Sequence, residues 1–176
     1  MLLTTQISDS STLNDPAEKK EELGKALGRL ASGVYVVTWH NGESPRGLLA
    51  TWVAQAAFEP PMVTVSINKQ RELAALIAPD QNITINVLAK QNMDIFKAFA
   101  KPSTGAEQDR FAGLDVNDKS DFGPVFNNSV SYLNCRVDKV MEAGDHLVAL
   151  CEVVEGRPLN ADAEPMTHLR KSGFQY

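Results

Sequence analysis

The stretch "YLNCRVDKVMEAGDHLVALCEVV", residues 132–154, constrains the fold more than any other part of the chain. Leu133, Cys135 and Val137 alternate with Asn134, Arg136 and Asp138, the period-2 pattern of a strand with one buried face. "EAGD" turns the chain, because Gly and Asp suit a tight loop, and "HLVALCEVV" returns as a second strand. Two strands joined by so short a turn lie antiparallel, so the fold is built on hairpins.

The rest of the chain fits that frame. "VYVVTW" is β-branched and aromatic and runs into the turn signal "HNGE". "GLLATWVAQAAFEPP" (47–61) reads as a second strand stopped by two prolines, "PMVTVSI" (61–67) as a third and "NITINVLA" (82–89) as a fourth. Helical segments are "RELAALI" (71–77), "QNMDIFKAFAK" (91–101) and "NDPAEKKEELGKALGRL" near the start. In the last of these, Asp15 suits a cap, Pro16 the first turn and Glu18 the capping-box spacing. Leu23, Ala26, Leu27 and Leu30 fall on one face, while Gly24 and Gly28 weaken the helix. Residues 102–128 read as loop around the apolar island "DRFAGL". Six or seven strands with two or three short helices predict a mostly β, antiparallel barrel. Residues 1–14 read as a polar leader or linker and 15–176 as one domain.

Composition narrows the function. The chain has 176 residues and a net charge of −5, which argues against a nucleic-acid backbone binder. No apolar run reaches membrane-spanning length, no secretion signal is evident, and cytoplasm is the default. Cys135 and Cys151 form no CxxC pair and read as two buried thiols. His40, His146 and His168 lie far apart, so a metal site is disfavoured. GxSxG, GxGxxG and the Walker pattern are absent. What the residues alone offer is an anion site. Asn68, Lys69 and Arg71 sit where a strand runs into a helix start, a place suited to a phosphate or simply a solvated charged turn.

The ordered set "RLASGVYVVTW…GLLATWVAQAAFEPP…VTVSINKQRE…ITINVLA…DRFAGL…GDHLVALCEVV" resembles the flavin reductase-like family over about residues 25–176. "GLLATWVAQAAFEPP", "FAKPSTGAEQDRFAG" and "HLRKSGFQY" look most like the flavin reductase module at the C-terminal end of cyanobacterial-type flavodiiron proteins. The resemblance implies an FMN-binding split barrel, typically a homodimer, that takes electrons from NAD(P)H; FAD in place of FMN stays open. It implies that Leu49, Ala50, Thr51, Trp52 and Gln55 line the flavin, and that Asn68, Lys69 and Arg71 hold its phosphate. Leu49 and Trp52 depart from the Thr and Ser that stand-alone reductases more often carry.

Asn86, polar within an apolar strand, must be hydrogen-bonded, to backbone or to flavin. The resemblance places His146 near the nicotinamide face, against the plain alternative of a turn residue beside Gly144 and Asp145. Phe111 covers the cofactor or anchors a loop, and His168 and Tyr176 reach a subunit interface or the pocket. Two functions follow from the resemblance. One is an NAD(P)H:flavin oxidoreductase feeding a diiron or flavodoxin-type oxygen-reducing partner. The other is a non-catalytic flavin-binding or dimerisation module of a larger flavoprotein.

Overall fold

The computed structural model describes residues 15–100 and 110–175. They fall into two compact units, a small one from the chain ends up to Ala31 and from Leu169, and a larger one over Ser32–His168.

In the small unit, α1 (Pro16–Leu27) starts as its residues dictate. Asp15 is extended, and its carboxylate accepts from the Ala17 N–H at 2.9 Å. Only part of the expected apolar face packs: Leu27 is half-buried and close to Gly173 of the tail. Leu23 is 54% and Leu30 64% exposed, whereas Gly24 is buried. The reason is close approach of the tail. A Cβ on Gly24 would lie 2.8 Å from Ser172 Oγ, and one on Gly28 would lie 2.7 Å from the Arg170 carbonyl oxygen. The glycines that weaken the isolated helix are therefore what lets the tail seat against it. Arg170 N–H donates to Gly28 O, and Gly173 N–H to Gly24 O.

The larger unit contains β1 (Ser32–Gly33), β2 (Tyr35–Asn41), β3 (Ser44–Ala50), β4 (Val53–Ala57), β5 (Met62–Asn68), α2 (Glu72–Leu76), β6 (Asn82–Val87) and α3 (Met93–Ala100). After these come β7 (Val116–Asn117), β8 (Val125–Phe126), β9 (Ser131–Ala143), β10 (His146–Pro158) and β11 (Thr167–His168). Seven strands form one sheet in the order β3-β2-β6-β9-β10-β5-β4, with every pair antiparallel. β1 pairs with β11, and β7 with β8. The β7–β8 pair lies inside the segment that the sequence reads as loop. It is carried by buried polar side chains of β2 and β6, described below.

The second expected strand is two strands. β3 ends at Ala50 and β4 begins at Val53, and they occupy opposite edges of the sheet. A flat seven-stranded sheet would be about 29 Å wide at about 4.8 Å per strand. Three Cα steps, Ala50 to Val53, reach at most about 11 Å. The sheet must therefore curl until its edges nearly meet, and Thr51 and Trp52 bridge the remaining seam. No hydrogen-bonded ladder joins β3 to β4, so the antiparallel barrel stays open along that line.

Inside the curl, Val37, Trp39, Val65, Ile67, Leu73, Ile83, Ile85 and Val137 form the main apolar cluster. A second cluster joins Val34, Val36, Leu88, Ile95, Phe99 and Phe126. β5 alternates, with Val63, Val65 and Ile67 buried and the residues between them partly exposed. Cys135 and Cys151 are both free thiols, fully buried, in the main cluster.

Burial pushes the Cys151 thiol up to about 12 and raises Cys135 as well. Both folded values exceed the unfolded value of about 8.5, so the buried neutral thiols favour the fold fully below that pH. Unfolding free energy should then fall as pH rises from about 9 towards 12. At pH 8 a chromogenic disulfide reagent should titrate neither thiol in native protein and both in guanidinium. Rapid labelling of the native chain would contradict their burial.

Candidate functional site

The seam decides where chemistry can be placed. Thr51 and Trp52 leave the β3 edge, and the Trp52 carbonyl accepts from the Ser66 N–H of β5 at 2.9 Å. β5 in turn pairs with β10, with Asn68 opposite His146. The β9–β10 turn is two residues, Gly144 and Asp145. Gly144 has φ +61, and no positive φ occurs at Asp145, which fits a turn needing glycine at its first central position. His146 thus emerges from the turn on the strand next to Asn68, and its ring meets Trp52 at 4.8 Å between centroids, tilted 37°. Its Nδ1 lies 2.8 Å from an Asp145 carboxylate oxygen. His146 is only 6% exposed. That hydrogen bond, more than any other influence, holds the Asp145 carboxyl below the usual carboxylate range.

Thr51 supplies the second feature. Its hydroxyl is buried and has no hydrogen-bond partner among the described residues. A buried unsatisfied hydroxyl costs about 1–3 kcal/mol, so a polar partner beside the seam would be favoured there. A flat aromatic ligand with a polar edge fits a segment that offers an indole surface and an unspent hydroxyl side by side.

The cationic residues are split. Lys69 is ion-paired with Glu142 of β9. Asn68 caps its own turn, accepting from the Gln70 N–H at 2.9 Å. Arg71 stands at the N-cap of α2 without a side-chain cap bond. Near it are two arginines that the sequence reading passes over. Arg46 of β3 donates to Glu72 at 3.2 Å. Arg110 lies over the Phe99 ring at 6.0 Å. Partial burial and then the nearby Arg71 charge make the Arg110 guanidinium easier to deprotonate, with Glu72 opposing. The signal that could have found Arg110 is its place beside Phe111 in "DRFAGL"; Arg46 carries no sequence signal, since only strand pairing brings β3 to α2.

Asn86 receives its answer. It is fully buried, and its amide donates to Val36 O at 3.3 Å, Thr38 Oγ1 at 3.2 Å and Pro124 O at 3.2 Å. Its carbonyl accepts from the Phe126 N–H at 3.0 Å. Its printed bonds therefore run to backbone groups and to the Thr38 hydroxyl. Thr38 and Thr84 hold the same strap, through Pro124 O at 2.6 Å and Gly123 O at 3.1 Å.

Among the other expected residues, Leu49 packs against the second apolar cluster and Ala50 is buried in the first. Gln55 is exposed on the β4 edge, donating to Ala57 O at 3.4 Å, with its side chain away from the Trp52–His146 contact in register. Phe111 stacks on Phe126 at 5.9 Å and meets Phe99 edge-on at 5.2 Å, which anchors its loop. His168 pairs with Ser32 in the small β1–β11 sheet. Tyr176 lies outside the described residues. Among the described residues no group of three or more His, Cys, Asp or Glu could hold a metal, and no helix is long and apolar enough to cross a membrane.

A family model described as "Flavin reductase like domain" matches residues 27–175. The chain belongs to the flavin reductase-like family. It is 34% identical over 155 residues to diflavin flavoprotein A 1 of Synechocystis sp. strain PCC 6803, covering 88% of this chain and 27% of that protein. A Nostoc sp. strain PCC 7120 protein, provisionally named diflavin flavoprotein A 6, is 37% identical over 94% of this chain and 28% of its own length. The chain therefore spans little more than a quarter of the curated relatives it matches. Among solved structures, the Streptomyces globisporus NADH:FAD oxidoreductase in complex with NAD and FAD fragments superposes with a TM-score of 0.75 at 25% identity. The match covers 89% of this chain and 91% of that one. Membership in this family agrees with a curled antiparallel sheet whose seam carries the candidate site.

Replacing Asn86 by Leu should remove four hydrogen bonds and leave the buried Phe126 N–H without its partner, while Pro124 O keeps the Thr38 hydroxyl. A destabilisation of about 2–4 kcal/mol in denaturant titration is expected. A change below about 0.5 kcal/mol would show that the strap does not depend on it.

Proposed function

We propose that the chain is an NAD(P)H:flavin oxidoreductase module that passes hydride from nicotinamide to bound FMN. The observation that carries this reading is the seam itself, where the unspent Thr51 hydroxyl, the Trp52 surface and the buried His146 ring come together. Thr51 and the backbone of residues 49–52 would hold the polar edge of the isoalloxazine. Arg71, joined by Arg46 and Arg110, would hold the phosphate, since guanidinium forks suit phosphate oxygens. His146 would stand at the nicotinamide face. When bound, FMN supplies a two-electron acceptor, so the protein needs only to bind, orient and exclude water.

The relatives' greater length supports a setting beside other redox domains. In that setting reduced flavin feeds a diiron or flavodoxin-type partner and finally oxygen. We place the module in a homodimer, for which the exposed β4 edge and Phe58, 86% exposed at its end, offer apolar surface.

One observation favours the non-catalytic reading. Trp52 lies against His146, and the imidazole that would face nicotinamide is covered. Anaerobic mixing separates the two. FMN-loaded protein should bleach near 450 nm on addition of about one equivalent of NADH or NADPH, as a stoichiometric hydride transfer requires. A protein that stays yellow with both nucleotides is the flavin-binding module instead.

Replacing Arg71 and Arg110 together by Ala should weaken FMN binding at least about tenfold, while riboflavin, which lacks the phosphate, changes less than about twofold. Equal losses for both flavins would place the phosphate elsewhere.

A further inference from the structure

Lys69 was expected to bind phosphate, yet its links run to the β9–β10 turn. Its ammonium is ion-paired with Glu142 of β9. Its backbone N–H donates to the Asp145 carbonyl at 3.0 Å, adding a rung beyond the last strand pair, Asn68 opposite His146. Its charge also reaches the Asp145 carboxylate, behind the larger influence of the His146 hydrogen bond. Lys69 thus contacts the residues on both sides of Gly144, the hinge-like centre of a two-residue turn.

We propose that Lys69 is a positioning residue for His146, clamping the β9–β10 turn so that the imidazole is held against Trp52, and is not an anion ligand. The physical case has three parts. First, Gly144 carries no side chain, and a Cβ there would meet nothing within 4 Å, so the turn is not held by packing of its own. Second, His146 directly follows that turn, so any swing of Asp145 moves the ring; the 2.8 Å Asp145–His146 bond makes the two move together. Third, the ammonium engaged by Glu142 faces β9, whereas Arg71, Arg46 and Arg110 gather around Glu72 on α2. The ion pair is solvent-exposed, with Lys69 at 38% and Glu142 at 79%, so its loss should cost little stability. Its effect is on where the ring sits. Among the described residues Asp145 contacts the imidazole directly. Glu142 is opposite Leu147 and Lys69 follows Asn68, so their side chains leave the other face of the sheet and act on the ring through the turn backbone.

The kinetic consequence rests on reading His146 as the nicotinamide-facing residue; the positional claim does not. The full chain would be compared with Lys69→Met, Lys69→Arg, Lys69→Glu and the exchanged pair Lys69→Glu with Glu142→Lys. The readout that needs no activity is proton NMR of the His146 ring, whose carbon-bound protons are shifted by the Trp52 ring current. Lys69→Met and Lys69→Glu should move these signals towards unstacked values. Lys69→Arg should leave them in place, and the exchanged pair should return them. In FMN-loaded protein, reduction by nicotinamide should slow about tenfold in Lys69→Met, the scale of a small misplacement, with FMN affinity changed less than about twofold. The exchanged pair should recover the rate. Unmoved His146 signals in Lys69→Met would overturn the proposal, as would selective loss of FMN over riboflavin binding. If the wild-type chain is not reduced by any nicotinamide, the reductase reading fails alone, and the ring-current shift still decides the role of Lys69.

Discussion

The rest of the structure depends on the passage of Thr51 and Trp52 from one edge of the sheet to the other. Two residues cannot cross a flat seven-stranded sheet, so the strands must coil, with the right-handed twist of β-structure directing the curl. Closing the ladder would have paired β3 with β4 and consumed the backbone groups at the seam. At the open seam Thr51 keeps a buried hydroxyl without a partner among the described residues, and Trp52 lies against His146. The same local constraint shapes the barrel and supplies the site.

Around that seam, polar side chains differ in what they hold. Asn86, Thr38 and Thr84 look like functional polar residues in a strand, but their hydrogen bonds run to the 123–126 strap. These bonds tie the strap to the sheet. The arginines behave differently. Arg46 and Arg110 come from separate segments, and both interact with Glu72, the residue after Arg71. The like charges of Arg71 and Arg110 repel, a cost that a bound anion would offset.

The glycines of α1 show how a correct local rule can point the wrong way. Gly24 and Gly28 do lower helix propensity, and Leu23, Leu27 and Leu30 do share a face. In the structure the tail runs over Gly24 and Gly28 and beside Leu27, because a backbone can come closest where the helix carries no Cβ atoms, and Leu23 and Leu30 stay exposed. Periodicity reports which face is apolar; it does not report which face a neighbour approaches.

Much was legible in the sequence. The β9–β10 hairpin, the Asp15 cap and the burial of Cys135 and Cys151 follow from residue types and spacing of two or three to four, which are local properties. The family likeness was legible too, in the order of several weak motifs. What only tertiary structure decided is which side chains share a place. The split of residues 47–61 into two edge strands, the Trp52–His146 contact, the capture of Lys69 by Glu142 and the convergence of Arg46 and Arg110 on α2 all join residues far apart in the chain. Their distances are set by strand order and register, and neither is written in the spacing of any one segment.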